Sequence, residues 1–555
     1  MSLIPLVQGG HSAASIFDAT LIGNSVWLDG SADHLTKSFG SGADQQEFVL
    51  AAWVQRNSFG SLQFFFGSGA SARQFGFGFT ASDELELRDF DSPINARYIS
   101  NALFRDVGWY HILASIKTTE STASDRVKIF VNGSEITSFS TETDPSLNFD
   151  MNWGISGDTH NIGSYFDGSA KNFFKGYVAQ PLYISGKSIQ GGDFTISNFL
   201  GTLNSARIPK TDSAIAALAS AGGASSFCLD FSNSADLGND LSSKNNDFSP
   251  TSMASTNQSN HSPSLVYPTM NPLNDVSTVV LSEGNTRVNA QSSASIRSTA
   301  FAAAGKRYAE LTVTAVGNSY LGVAVNGTNP TSFAATGAVA CQQDGDIYVS
   351  SSSPSGNKCP AYTTGDVLGI LIDVDADKFW VSKNGTFHSM DRSPTITLTA
   401  SQVLAGTGGF DLTALGSGGS YAIHVGNSDG TAANVLVNFG QYTFSHTPPT
   451  GYKNWASNNF DTLTFSNPAT GSFTGNASTD GSFVFLGFQP SPSDALTINS
   501  NSVTYGTDVD LCNNGFKVRS SSSNFNSTGT NTYSLVTTNA LQINGEFPPS
   551  YGITN

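Results

Sequence analysis

The chain is short of charge, of cysteine and of long apolar runs. Only 12% of its 555 residues are Asp, Glu, Lys or Arg, about half of the ~25% usual in soluble domains. Cations are the scarcer sign: 26 Lys and Arg stand against 43 Asp and Glu, a net charge of −17. A surface of that sign repels a phosphate backbone, which argues against a generic nucleic-acid-binding role. Four cysteines, at 228, 341, 359 and 512, include no C-x-x-C pair of a zinc or thiol redox site. Cys341 and Cys359 lie in one region, where they either pair or serve as two small hydrophobes. The eight histidines show neither H-x-x-x-H nor H-E-x-x-H spacing, so zinc is not suggested. No stretch approaches the ~20 apolar residues that cross a bilayer. The opening MSLIPLVQGGHSAAS lacks the basic start and apolar length of a secretory signal. The expectation is a protein made in a cytoplasm and soluble.

Aromatic and β-branched residues are plentiful, and hydrophobic content is 39%, so disorder is not the reading. The apolar residues come in short alternating runs between Gly, Asn, Asp and Ser clusters, which predicts an all-β protein. FVLAAWVQR (48–56), FGFGFT (75–80), WYHILASIK (109–117) and RVKIFVNGSEIT (126–137) each bury one face of a strand. Asn132-Gly133 predicts a tight hairpin turn, because both central residues of a type I′ turn take positive φ. Many such strands with short turns predict a two-sheet sandwich over 16–200, after an N-terminal segment 1–15. Trp109 begins a central strand and reads as a core residue of that sandwich. Residues 201–275 read as a connector with little regular structure, apart from one short helix at AIAALASAG (214–222). Periodicity returns over 276–455, a second sandwich closed by HTPPTGYK (446–453), whose prolines cannot sit inside a sheet. Residues 460–555 form a small third β module.

The stretch TTGDVLGILIDVDADKFWVSKNG (363–385) places Asp373, Asp375 and Asp377 at alternate positions. A calcium loop of the EF-hand type counted from Asp373 needs Gly at position 6 and Glu at position 12. Lys378 and Asn384 stand there instead, so the stretch reads as two strands joined by a tight turn. GNSDG (426–430) fits the G-x-S-x-G of a nucleophile elbow, but that motif needs a helix after it, and ANVLVNFG (433–440) is a strand. GKS (186–188) fails as a phosphate loop because Pro181 stands where its first Gly belongs. DELELRD (83–89) puts Glu84 and Glu86 on one strand face at the ~5 Å spacing of a retaining glycosidase. The stretch reads as a strand with a solvated acidic face, with glycan cleavage as the alternative.

Three resemblances follow from these segments. GDVLGILIDVDADKFWVSKNG (365–385), KRYAELTV (306–313), YLGVAV (320–325) and VLVNFGQ (435–441) resemble the signature strands of SPRY domains, which implies a sandwich used for binding. EFVLAAWVQR (47–56), WYHILASIKTTESTASDRVKIFVNGSEIT (109–137) and HNIGSYFDGSAKNFFKGYVAQPLYISG (160–186) resemble the laminin-G or concanavalin-A-like lectin fold. Some members of that fold bind calcium or sugars. Asp150 and Asp167 fall in loops where an ion could sit but match no ligand pattern, so no metal and no cofactor is expected. The glucanase signature E-x-D-x-x-E of concanavalin-like enzymes is absent, because Glu86 and Asp89 occupy its second and third acidic positions.

The order of these modules, with FCLDFSNSADLGNDLSSKNNDFS (227–249), YPTMNPLN (267–274) and GSFTGNASTDGSFVFLGFQP (471–490) between and after them, resembles tailed-bacteriophage virion proteins of the tail fibre or appendage type. The resemblance implies a non-enzymatic structural protein of the virion exterior that touches host surface glycan or protein. It implies other virion proteins as partners and a homo-oligomer, with trimers common among similar appendages. Two alternatives stand beside it: a decoration or scaffold protein that binds only other virion proteins, and a tailspike that cleaves polysaccharide. Binding is expected at loop tips, SYFDG (164–168) and 344–366, where Tyr165, Phe166, Tyr348 and Tyr362 are the candidate contacts.

Overall fold

The computed structural model describes residues 21–459 with breaks at 41–42, 92, 106–107, 204–205, 272–277, 292, 326–336, 351, 353–355, 357, 392–395, 416–418, 429 and 457–458. Beyond 459 it describes 459, 462–464, 469–474, 483–485, 495–504, 508–512, 515–518, 522–524, 530–536 and 542–544. The N-terminal segment 1–15 and the last strand-free stretch lie outside the described residues. The described chain falls into two compact units, 21–201 with 207–459, and 202–206 with 460–555.

The first unit opens with two antiparallel sheets. One runs Ser134–Glu135, Val127–Val131, Trp109–Lys117, Glu47–Arg56, Lys175–Ser185, Ser25–Asp29 and Gln258–Ser259, with Phe227–Cys228 also on Lys175–Ser185. The other, called the outer sheet below, runs Phe139–Thr143, Ile94–Leu103, Glu84–Phe90, Arg73–Phe79, Gln63–Ala70, Thr159–Ile162, His34–Ser38 and Ser249–Thr251. Strict alternation explains the pairing of faces. Phe75, Phe77 and Phe79 point between the sheets, with Leu85 and Leu87 beside them, whereas Gly76 and Gly78 face outward. Asn132 and Gly133 have φ of 49° and 79°, as the expected tight turn requires. Trp153 is fully buried at the centre, its ring against Phe66, Phe75, His160 and Tyr183.

Two expectations change here. Trp109 does begin a central strand, but its side chain is half-buried on the far face of that strand's sheet, outside the space between the sheets, packed on Tyr177 and His261. Trp153 holds the central position instead. The stretch 201–275 is also more than a connector. Gln258–Ser259 and Ser249–Thr251 extend one edge of each sheet, and Phe227, Leu229, Phe231, Leu237 and Phe248 enter the core of the first sandwich. Strands of two or three residues carry no readable periodicity, and they form because an existing edge offers unpaired backbone groups. The expected short helix is Asp212–Ser220, capped by Thr211, whose Oγ1 accepts from the Ala214 N–H at 3.2 Å. It buries Ile215, Ala216 and Ala219 against Leu182 and Ile184.

The second sandwich has one sheet of Val279–Ser282, Arg287–Ala290, Ala433–Asn438, Lys306–Ala315, Val367–Asp373, Lys378–Lys383, Thr386–His388 and Thr397–Leu398, with Phe410–Asp411 on Lys378–Lys383. Its other sheet is Ala294–Arg297, Tyr421–Asn427, Ser319–Val325, Ala338–Gln342 and Ile347–Val349. Val367–Asp373 and Lys378–Lys383 pair residue for residue across the turn that carries the three aspartates. Each aspartate has a structural partner: Asp373 pairs with Lys306, Asp375 Oδ1 accepts from the Gly305 N–H at 3.0 Å, and Asp377 Oδ1 accepts from the Tyr421 hydroxyl at 3.1 Å.

The two sandwiches share one compact unit. The Asn260 N–H donates to the Gln441 carbonyl at 2.7 Å, and Asn454 Nδ2 donates to the Tyr267 hydroxyl at 3.3 Å. His261 sits at this junction. Its Nδ1 accepts from the Tyr267 N–H at 3.2 Å, and its Nε2 lies 3.2 Å from the Trp109 indole Nε1 and 2.7 Å from Gln55 Oε1. Burial pushes its pKa down to about 3, so it is neutral.

In the smaller unit, Ala469–Thr474, Thr530–Val536, Ala495–Ile498 and Asn501–Ser502 form one antiparallel sheet, and Phe483–Phe485, Gly515–Val518 and Val509–Cys512 another. Leu496, Ile498 and Val509 are buried there. The fold class is all-β, tandem antiparallel sandwiches followed by a small β unit.

Candidate functional site

The exposed face of the outer sheet carries the densest set of unusual side chains. One register row crosses it: Thr36, Asn161, Gly67, Gly76, Arg88, Arg97 and Thr143 lie opposite one another in turn. The two glycines leave a hollow in the middle of the row. A Cβ at Gly67 would stand 2.4 Å from the Ser164 carbonyl oxygen, and one at Gly76 would meet the Phe64 and Tyr165 rings at 2.8 Å. The hollow is filled by the chain itself. A small hairpin, Tyr165–Phe166 with Ala170–Lys171, lies flat on it. The Tyr165 hydroxyl donates to Gln74 Oε1 at 3.0 Å.

Arg88 covers this aromatic pair, its guanidinium 4.4 Å from the Phe64 ring centre and 4.3 Å from that of Tyr165. Arg97 lies directly opposite Arg88 on the neighbouring strand. Between and below them Glu86 is 1% exposed, with Oε1 at 2.9 Å from Arg97 Nε and 3.9 Å from Arg88 Nη1. Burial raises the Tyr165 phenol above its ordinary value, partly offset by the Arg88 charge.

On the inner side of the same strand, Asp89 is fully buried. It accepts from the Asn152 backbone N–H at 2.6 Å, Asn152 Nδ2 at 2.7 Å and Asn95 Nδ2 at 3.1 Å. Desolvation nevertheless pushes its carboxyl up to about 7.

The expected site residues are scattered. Tyr165 is 3% exposed, in the wall rather than at a tip, because its ring fills the space left by Gly76. Tyr362 is 4% exposed, and its hydroxyl sits 3.0 Å from the Ser319 and Cys341 carbonyls, so it too is no tip. Phe166 and Tyr348 are half-buried, Tyr348 with its ring edge-on to Tyr320. Glu86 is buried beneath arginines, so the solvated acidic face expected at 83–89 is corrected: Arg88, two positions on, and Arg97 across the sheet cover it. Glu84 Oε2 accepts from the Thr80 hydroxyl at 2.9 Å. Asp150 accepts from Gln46 Nε2, and Asp167 pairs with Lys171. Among the described residues no group of three His, Cys, Asp or Glu side chains is placed to hold a metal. Cys341 and Cys359 are buried free thiols. Ser428 of GNSDG is followed by the strand Ala433–Asn438, as its flanking pattern indicates.

Arg88 and Arg97 are the functional candidates that sequence reasoning passed over. The signal was present in the alternation of Glu84, Glu86 and Arg88 on one strand face. The pairing of Arg88 with Arg97 depends on sheet register, which periodicity within one strand does not contain.

Residues 29–180 match the family model of the concanavalin A-like lectin/glucanases superfamily. No curated protein sequence matches the chain. Among solved structures, the heptameric SAP-like pentraxin of Limulus polyphemus is 14% identical, over 34% of this chain and 83% of its own, with a TM-score of 0.24. The SPRY domain of human HERC1 is 11% identical, over 31% of this chain and 99% of its own, with a TM-score of 0.23. The CBM40 of Ruminococcus gnavus IT-sialidase, bound to α2,3 sialyllactose, is 14% identical, over 26% of this chain and 85% of its own, with a TM-score of 0.19. The first sandwich of this chain is thus similar to the concanavalin A-like lectins and glucanases, across residues 29–180.

Proposed function

We propose that the chain is a non-catalytic glycan-binding protein, displayed on the exterior of a bacteriophage virion as part of a tail fibre or appendage. The observation that carries the binding reading is the state of the outer face within the region similar to lectins and glucanases. Its buried carboxylate, Glu86, is committed to Arg97 at 2.9 Å. A retaining glycosidase needs a free nucleophilic carboxylate about 5 Å from a protonated one. A carboxylate tied to two guanidiniums beneath an aromatic wall suits the holding of a polar ligand instead. The virion reading is supported by the order of modules along the sequence and by the acidic, hydroxyl-rich surface.

Glycan contacts on such faces are weak singly, and several copies on one appendage raise avidity by ~10²–10⁴ without any new contact. The test is antibody labelling of intact virions combined with cell binding by monovalent and multivalent forms. The proposal expects label on the exterior, weak binding by the single chain and strong binding to host cells by the multivalent form. Label only inside the particle, or equal binding to host and non-host cells, contradicts it.

A further inference from the structure

The outer face has one more feature that a neutral ligand would not require. Arg88 and Arg97 are directly opposite one another across two hydrogen-bonded strands. Like charges in that position destabilise a sheet. One carboxylate, Glu86, serves both, so the three groups carry a net positive charge in a chain whose total is −17. The two side chains stay 21% and 35% exposed. Arg88 Nε is buried, out of reach of a ligand, so Arg88 contributes its charge and its terminal nitrogens. Arg97 bonds through Nε, which leaves its terminal nitrogens without a hydrogen bond among the described residues. The Arg88 guanidinium packs over the Phe64 and Tyr165 rings, 4.4 and 4.3 Å from their centres, which restrains it. A restrained guanidinium beside a second with free terminal N–H groups suits a two-oxygen anion.

We infer that Arg88 and Arg97 seat the carboxylate of an acidic sugar, so that the ligands of this face are glycans bearing uronic or nonulosonic acids. The inference rests on the glycan-binding reading above. The ligand carboxylate supplies the second negative charge that the arginine pair lacks, and Thr143, exposed at the end of the row, borders the seat.

The experiment is calorimetric titration of the full chain with 3′-sialyllactose, trigalacturonate and lactose at low and physiological salt. The expected result is that one acidic probe binds at least about tenfold tighter than lactose, with the gap narrowing as salt rises. Which acidic probe does so identifies the sugar class. Arg97→Gln closes the gap, while Glu86→Gln, which removes the competing carboxylate, keeps or widens it. Should Arg97→Gln lower the melting temperature, Arg97→Lys keeps the charge but loses the fork, and the gap must still shrink. Equal binding of acidic and neutral probes, or a gap that survives both Arg97 variants, overturns the carboxylate seat and leaves glycan binding standing. No binding of any probe at millimolar concentration overturns both.

Discussion

Two tryptophans in the first sandwich show how position sets energetic weight. Trp153 is fully enclosed by aromatic rings, so its truncation leaves a cavity that the surrounding strands cannot collapse into. Trp153→Ala is expected to lower stability by ~3–5 kcal/mol. Trp109 is half-buried on the other side of its sheet, and Trp109→Ala is expected to cost clearly less. Urea denaturation of both variants checks this, and equal losses would place Trp109 in the core after all. Asp375 is a smaller case. It accepts one backbone N–H in an exposed turn, and Asn keeps an acceptor there. Asp375→Asn is expected to change stability by under ~0.5 kcal/mol, as at other surface sites. A melting temperature that drops with a chelator in the parent chain, and not in this variant, would show that the turn holds a metal.

At the level of elements, the hairpin Tyr165–Phe166 with Ala170–Lys171 is held by what lies under it. Gly76 provides the depth for the Tyr165 and Phe64 rings, and a methyl group there meets both at 2.8 Å. Gly76→Ala is expected to cost ~1–3 kcal/mol through overpacking and to displace the ring that braces Arg88. A thermal melt, with the exposure of Tyr165 followed by fluorescence, checks it. An unchanged melt would mean the hairpin is only loosely seated.

These same elements show what is legible in the sequence. Alternating runs such as FGFGFT, and the Asn-Gly turns at 132–133 and 384–385, are local, because side-chain period and φ preference are written within a few residues. The Asp373–Asp377 turn is readable for that reason. The edge strands Ser249–Thr251 and Gln258–Ser259 are not, since their partners lie more than two hundred residues away. The burial of Tyr165 and Tyr362 is equally non-local. Each looks like a loop aromatic until Gly76, or the Ser319 and Cys341 carbonyls, are brought beneath it.

For the molecule as a whole, acid stability follows from buried groups. His111 and His261 are pushed down to about 3 and His160 to about 4 by burial. Each binds a proton in the unfolded chain near 6.5 but not in the folded one. Their contribution is therefore complete above about 6.5 and is lost as the pH falls towards 3–4. Asp89 and Asp212, pushed up to about 7 chiefly by burial, act in the opposite direction. Their contribution is present below the ordinary carboxyl value and is lost as the pH rises through 7. Three groups against two make stability rise from pH 5 and level off near 6.5, where the opposing contributions balance. Urea titrations at pH 5 and 6.5 measure it, and higher stability at pH 5 would mean that the histidines are protonated in the fold.

The central claim, that this chain holds glycans without cutting them, is tested most directly on one sample. The full chain is incubated with a panel of bacterial surface polysaccharides, and each mixture is run by size-exclusion chromatography with detection of both protein and sugar. The account predicts co-elution of protein with at least one polysaccharide whose own size distribution does not change over time. Progressive shortening of the polysaccharide, abolished by Glu86→Gln or Glu84→Gln, would contradict it.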